Sequence, residues 1–325
     1  MEKRKVIMDG DPGHDDAFAM MLGVQHLDVL GFTAVAGNCT VDKAAYNALR
    51  ILDTIGRADI PVFRGQSCPL VVPLVTAPNF HGESGLDGPI LPPPRAELQK
   101  ERAADFIIDT AMSVDGLSII ATGPLTNIAT ALNQEPRIAR RIREISLMGG
   151  SVTYGNWTPS AEFNIFVDPE AAYRVFNSGI HIKMSGLNIT QQACITPREF
   201  DRISAVTTKA GRFAKDLLTF FMASSMRIAG IPGADLHDAV AAAWFIKPEL
   251  ITSAAMHITV ELRGQYTRGM TVCDYRHLRS DRPDVDLARD SRYKPHGETP
   301  NAEAGLELDF EGFIQLIVDT LKAYN

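Results

Sequence analysis

The apolar positions of the N-terminal third come in short runs that alternate with amphipathic stretches. Val6-Ile7-Met8 reads as the end of a buried strand, and a helical pattern follows at Ala17, Phe18, Met20, Met21 and Leu22. Residues 29–36 read as a second buried strand, closed by Gly37-Asn38. Residues 42–55 carry Ala44, Ala45, Ala48, Leu49 and Leu52 at helical spacing, and 60–63 form a short strand stopped by Arg64-Gly65. This β-α-β-α-β alternation predicts a parallel sheet with right-handed crossovers. It resumes after an irregular stretch rich in Pro and Gly, 66–100. Helix is predicted over 103–113, strand over 117–121, helix over 128–132, strand over 142–148, helix over 169–178 and strand over 181–184. The remainder is more helical (198–204, 209–226, 237–245 and 310–323), with a strand at 256–260. Residues 275–299 are dense in Arg, Asp and Pro and poor in aliphatics, and read as an exposed loop insertion. The expectation is a single domain over 1–325, an α/β fold with an open, mainly parallel central sheet flanked by helices.

Composition changes that picture little. The chain has 325 residues, 45% hydrophobic and 22% charged, enough for one large α/β domain. No apolar run reaches the roughly 20 residues of a membrane span. The basic start Met-Glu-Lys-Arg-Lys is followed by a three-residue apolar segment that ends in Asp9, too short for a signal-peptide core. A cytoplasmic protein without membrane attachment is expected. The net charge of −7 argues against a nucleic-acid-binding surface but leaves room for a nucleotide-sized ligand. Cys39, Cys68, Cys194 and Cys273 lie far apart, so neither a zinc site nor a disulfide framework is indicated, and packed thiols are expected.

Charge placement changes it more. Asp9, Asp11, Asp15 and Asp16 crowd into eight positions with no Lys or Arg among them. Like charges that close repel unless something positive compensates them, and carboxylate oxygens suit a hard divalent cation. Helix capping accounts for one or two of these acids, not four. Asp15 and Asp16 point in different directions at a helix start, so one can bind metal while its neighbour faces a ligand. Other polar clusters also follow predicted strands: Gly37-Asn38, the segment 122–127, and the segment 149–164 with Asn156, Glu162 and Asn164. In an open α/β sheet such clusters gather at the carboxyl ends of the strands, where ligands bind. His237-Asp238 opens an Ala-rich helix, where a helix acid and a surface His are the ordinary reading. His81 lies in the irregular stretch, a candidate acid or ligand contact.

Read together, these segments carry a resemblance. Asp9-Gly10-Asp11-Pro12-Gly13-His14-Asp15-Asp16 matches the Asp-x-Asp-Pro-Gly-x-Asp-Asp opening of the nucleoside hydrolase family, the inosine–uridine-preferring N-ribohydrolases. The resemblance continues through Gly37-Asn38, Asn79-Phe80-His81-Gly82-Glu83, Thr122-Gly123-Pro124-Leu125-Thr126-Asn127, Leu147-Met148-Gly149-Gly150, Gly155-Asn156, Glu162-Phe163-Asn164 and His237-Asp238-Ala239. It covers nearly the whole chain and is nearest in flavour to the bacterial pyrimidine-specific ribonucleoside hydrolases. It implies a Ca²⁺ ion held by Asp11, Asp16, the Thr122 carbonyl and Asp238, with Asp11 also the general base on water. It further implies Asp15, Asn164 and Asp238 on the ribose 2′- and 3′-hydroxyls, and Asn156 and Glu162 on the 5′-hydroxyl. Met148 would pack nearby, Asn38 would join the pocket, and Asp9 would brace the metal loop. His237 and His81 would face the base as catalytic groups. The implied partner is a small ribonucleoside, and relatives are homodimers or homotetramers. One departure stands out: the pyrimidine-preferring relatives carry a Tyr and a Gln before the His-Asp pair, whereas Ser224 to Gly230 here read Ser-Ser-Met-Arg-Ile-Ala-Gly.

Three alternatives compete with a pyrimidine nucleoside hydrolase. One is a purine or broad-specificity enzyme of the same family. A second is a phosphatase of the haloacid dehalogenase type, which also starts from strand-Asp-x-Asp. Pro12 follows the second Asp here, and that scheme gives Asp15-Asp16 no role. The third, a non-catalytic nucleoside-binding protein, needs the ribose contacts but not Asp11 as base.

Overall fold

The computed structural model describes residues 3–276 and 299–324. Among the described residues there are eleven strands: β1 (Lys5–Gly10), β2 (Asp28–Ala34), β3 (Val62–Arg64), β4 (Ser118–Ala121), β5 (Glu144–Met148), β6 (His181–Ser185), β7 (Cys194–Ile195), β8 (Ala234–Asp235), β9 (Ile251–Val260), β10 (Thr271–Asp274) and β11 (Ala302–Leu308). The first half of the chain carries helices α1 (His14–His26), α2 (Val41–Thr54), α3 (Pro78–His81), α4 (Ala103–Ser113), α5 (Thr126–Gln134) and α6 (Phe163–Val167). The second half carries α7 (Pro169–Phe176), α8 (Leu187–Thr190), α9 (Pro197–Ser204), α10 (Lys209–Ala229), α11 (His237–Ile246) and α12 (Phe310–Ala323).

Nine strands form one sheet in the order β10-β9-β11-β6-β5-β4-β1-β2-β3. From β3 to β11 every pairing is parallel; β9 joins β11 and β10 joins β9 antiparallel. The expected mainly parallel α/β architecture is therefore what the chain adopts. Alternation along the strands explains why both faces are covered. Val6 and Met8 of β1 point into an apolar layer under α1, α2, α10, α11 and α12, while Ile7 points into the opposite layer under α4, α5 and α7. Helices α1 and α11 are apolar nearly all round. Each is buried along most of its length, and the two pack against each other.

The sequence reading needs correction at several elements. It left 300–309 unassigned, yet Ala302–Leu308 is an interior strand between β6 and β9. Its Ala, Gly and Glu residues carry little hydrophobic signal, and the ladders on both sides fix it instead. Strand β9 begins at Ile251 rather than at 256, because Thr252 to Ala255 pair with β11. Helix α5 starts at Thr126, two residues before the predicted start, and α10 runs on to Ala229 before Gly230 ends it at φ +68°. The irregular stretch 66–100 contains the short helix α3. The expected loop insertion at 275–299 falls almost wholly on 277–298, outside the described residues. Among the described residues, no helix is long and apolar enough to cross a membrane.

Candidate active site

The turns after β1, β2, β4 and β5 meet at the carboxyl ends of their strands, as the parallel topology requires. The first of them brings down the acids. Asp16 sits in the first turn of α1, where its Oδ2 accepts from Gly13 N at 2.9 Å and its Oδ1 from Thr122 Oγ1 at 2.6 Å. Asp11 Oδ2 accepts from Asn38 N at 2.5 Å, which ties the β1 turn to the β2 turn. Asp9 lies one layer down, its Oδ2 accepting from Thr33 Oγ1 at 2.5 Å and Asn127 Nδ2 at 2.8 Å. Asp238 arrives from the first turn of α11. One oxygen each of Asp15, Asp16 and Asp238 lie within 4.8 Å of one another, all three residues buried.

Magnitudes decide what this cluster is for. At such separations two ionised carboxylates repel by roughly 3 kcal/mol or more at an effective dielectric of about 20. A carboxylate at a helix N-terminus gains only about 0.3–1 kcal/mol. Capping alone cannot hold three of them together ionised, so the cluster either binds protons or binds a cation. Burial and mutual repulsion accordingly push the acids up. Burial, then Asp16, raises Asp15 to about 7; burial raises Asp9 to about 7. Asp11 and Asp238 are held well above the usual carboxylate range, first by burial and then by their acidic neighbours. Two oxygens, Asp9 Oδ1 and Asp11 Oδ1, are buried without a hydrogen-bond partner. Hard oxygen donors, orphaned lone pairs and excess negative charge together fit a metal ion.

Above the acids opens a cavity of about 380 Å³. Its described lining contains Asp15, Asn38, His81, Thr122, Met148, Asn156, Glu162, Asn164, His237 and Asp238, and no Lys or Arg. Asp11 and Asp16, both fully buried, complete the set of sequence-selected residues behind it. Asn164 Nδ2 donates to the Thr122 carbonyl at 3.0 Å and to the Met148 carbonyl at 3.2 Å, joining the β4 and β5 turns. Glu162 caps α6: its oxygens accept from Asn164 N, Gly150 N and Ile165 N at 2.9, 2.9 and 3.2 Å. Burial nonetheless raises it to about 7. Asn156, more exposed, accepts from Phe163 N at 3.0 Å through Oδ1, which leaves its amide nitrogen as the end able to donate to a ligand.

Sequence reasoning missed part of the far wall and of what packs behind it. His14, absent from the selected set, lies with its Nδ1 3.1 Å from His81 Nδ1, while the Asp87 carbonyl accepts from His14 Nε2 at 2.7 Å. Phe220 and Phe221 stack on His14, with ring centroids at 5.0 and 5.3 Å. Burial drives His14 down to about 4 and His81 well below its usual range. Helix α10 contributes Phe221, Ser225 and Ala229, spaced by four, to the lining. A four-residue spacing in sequence does not by itself separate a cavity face from a core stripe. Phe80, Tyr154, Trp157, Gln191, Ile231 and Asp235 also line the cavity. The site thus joins an acidic, polar floor to an upper half lined by Phe221 and His81, with His14 packed behind His81.

Residues 6–315 match the family described as inosine-uridine preferring nucleoside hydrolase. The pyrimidine-specific ribonucleoside hydrolase RihA of Escherichia coli K12 is 42% identical over 323 residues, 98% of each chain. Two solved structures superpose on the fold with a TM-score of 0.87, each over 99% of both chains. They are a purine-preferring ribonucleoside hydrolase from Gardnerella vaginalis, 29% identical, and the plant nucleoside hydrolase PpNRh1, 30% identical.

Proposed function

This chain belongs to the inosine-uridine preferring nucleoside hydrolase family and is an enzyme acting on N-glycosidic bonds, and we propose that it hydrolyses pyrimidine ribonucleosides, uridine and cytidine, with the help of a bound Ca²⁺ ion. The observation that carries this reading is the buried carboxylate cluster at the floor of a cavity whose lower wall is made of hydroxyl-binding amides and acids. The pyrimidine specificity named for the E. coli relative supports the choice of base. A purine preference is named for the Gardnerella structure, so inosine is the comparison substrate.

Asp11, Asp16, the Thr122 carbonyl and Asp238 would hold the ion. When bound, it compensates the carboxylate charge, acidifies a water and orients vicinal hydroxyls. Asp11 takes a proton from the attacking water; its orphaned oxygen is the free acceptor for that proton. Asp15, Asn164 and Asp238 bind the 2′- and 3′-hydroxyls, and Asn156 and Glu162 the 5′-hydroxyl, with Met148 and Asn38 closing the sugar subsite. The water oxygen bonds to C1′ as the C1′–N bond breaks, and the electron pair of the C1′–N bond leaves with the base, which then takes up a proton. Positive charge grows on the ribose in an oxocarbenium-like state, which the surrounding carboxylates stabilise. His237 and His81 face the departing base. A phosphatase scheme leaves the clustering of Asp15 with Asp238 and the amide wall without a task. We read the enzyme further as a cytoplasmic homodimer or homotetramer, on the strength of the family resemblance.

The test is release of reducing sugar from uridine, cytidine and inosine by purified enzyme, with and without a chelator. Ribose from uridine and cytidine, lost on chelation and restored by Ca²⁺, is expected. No ribose from any nucleoside despite bound Ca²⁺ would refute the catalytic reading, and faster turnover of inosine would refute the base assignment.

A further inference from the structure

His237 is held from behind. Its Nδ1 lies 2.8 Å from the hydroxyl of Thr190, a residue 47 positions earlier that is fully buried. That hydroxyl has no other partner among the described residues. A buried hydroxyl proton left without an acceptor costs about 1–3 kcal/mol. The bond therefore runs from Thr190 O–H to His237 Nδ1. A neutral imidazole that accepts at Nδ1 carries its proton on Nε2. Asp235 Oδ2 is 3.9 Å from that Nε2, beyond hydrogen-bond reach, so the N–H stays available to the cavity that both residues line.

The fold makes Thr190 a fixed post. Helix α8 follows β6, and Thr190 N donates to the Gly186 carbonyl at 3.0 Å. Asn188 Nδ2 donates to the Gly305 carbonyl at 2.8 Å, tying α8 to β11. Just beyond it, Cys194 and Ile195 pair antiparallel with Asp235 and Ala234, and Leu236 N donates to the Ala193 carbonyl at 3.1 Å. This small ladder sets the distance between the end of α8 and the start of α11, and with it the distance from Thr190 to His237.

We propose that Thr190 is a positioning residue of the hydrolase: its hydroxyl fixes the ring orientation and the Nε2–H tautomer of His237, so that an N–H is aimed at the departing base. That hydrogen bond stabilises the electron pair collecting on the base as the C1′–N bond breaks, and it strengthens only as charge develops. The inference rests on the reading of His237 as a base-facing group. It concerns the leaving group, not the metal or the ribose.

The experiment compares Thr190→Val, Thr190→Ser and His237→Ala with the unaltered enzyme on uridine and on an aryl riboside whose leaving group needs no help. Melting temperature is followed throughout. Thr190→Val keeps the side-chain volume and removes the donor. It should lower kcat on uridine about tenfold, with KM nearly unchanged and the aryl riboside barely affected, as expected for an interaction made only in the transition state. Thr190→Ser should restore most of the rate. Equal losses on both substrates, or no rescue by Ser, would overturn the proposal. So would a silent Thr190→Val beside a slow His237→Ala. A silent His237→Ala would instead remove the underlying assignment of His237 to the base. Should Thr190→Val fail to fold, ¹⁵N NMR of the unaltered enzyme decides the matter: a protonated Nε2 and bare Nδ1 on His237 support the proposal, and the reverse tautomer refutes it.

Discussion

Asp11 and Asp16 lie five positions apart in sequence, and their hydrogen bonds differ. Both oxygens of Asp16 are already engaged, by Gly13 N and Thr122 Oγ1, which fixes the carboxylate where its remaining lone pairs can ligate. Asp11 has one oxygen bound to Asn38 N and one without a partner. Under the proposed mechanism, Asp11→Asn should keep the shape and lose the base, with kcat on uridine falling about 10²–10⁴-fold, the usual contribution of a general base. Bound Ca²⁺, measured by titration calorimetry, should weaken less in Asp11→Asn than in Asp16→Ala. Near-normal turnover in Asp11→Asn would mean that another group takes the proton.

The turns behave as elements shaped around the carboxylates. A Cβ at Gly37, in the turn after β2, would collide with Asp11 Oδ2, and one at Gly123, after β4, would come within 2.6 Å of Asp11 Oδ1. A Cβ at Gly10 would meet Thr122 Oγ1 and lie 2.8 Å from Asp16 Oδ1. These glycines have φ outside the left-handed region, so clearance for the carboxylates, not backbone freedom, is what requires them. Gly37→Ala should displace the Asp11 carboxylate and cut kcat/KM on uridine by about tenfold or more. The melting temperature of the chelated protein should move by only a few degrees, because the turn is not part of the apolar core. Unchanged kinetics would show that the Asp11 side chain gives way without consequence.

At the scale of the whole molecule, the buried acids couple stability to pH and, under the proposed Ca²⁺ site, to metal. Asp9, Asp15 and Glu162 are raised to about 7, and Asp11 and Asp238 lie well above their ordinary value. In the unfolded chain these groups titrate near pH 4. Between about pH 4 and pH 7 the metal-free folded state therefore binds more protons than the unfolded state, and its stability falls as pH rises. A bound cation replaces those protons. Removing it with a chelator should lower the melting temperature little near pH 5 and much more near pH 8, a trend that scanning calorimetry would show. A chelator effect independent of pH would place the metal away from the acids.

How much of this was legible in the sequence depends on how local each signal is. The alternation of strands and helices, the parallel sheet and the charge-crowded turn after β1 all show within windows of ten to twenty residues, because hydrophobic period and like-charge repulsion act at short range. Those features determined the fold class, the edge of the sheet where the candidate site gathers and the charge crowding that a cation would relieve. Strand β11 escaped, since its pairing partners and not its own residues specify it. His14, Thr190 and the α10 face also escaped, because none of them carries chemistry until packing delivers it. Thr190 reaches His237 only once α8 meets the start of α11, and Ser225 reaches the cavity only once α10 packs beside it. The sequence determined which acids and amides are present; the tertiary structure decided which of their atoms are used up by neighbours and which are left for a ligand. Hydrogen bonds between residues tens of positions apart make that choice, and no local pattern records them.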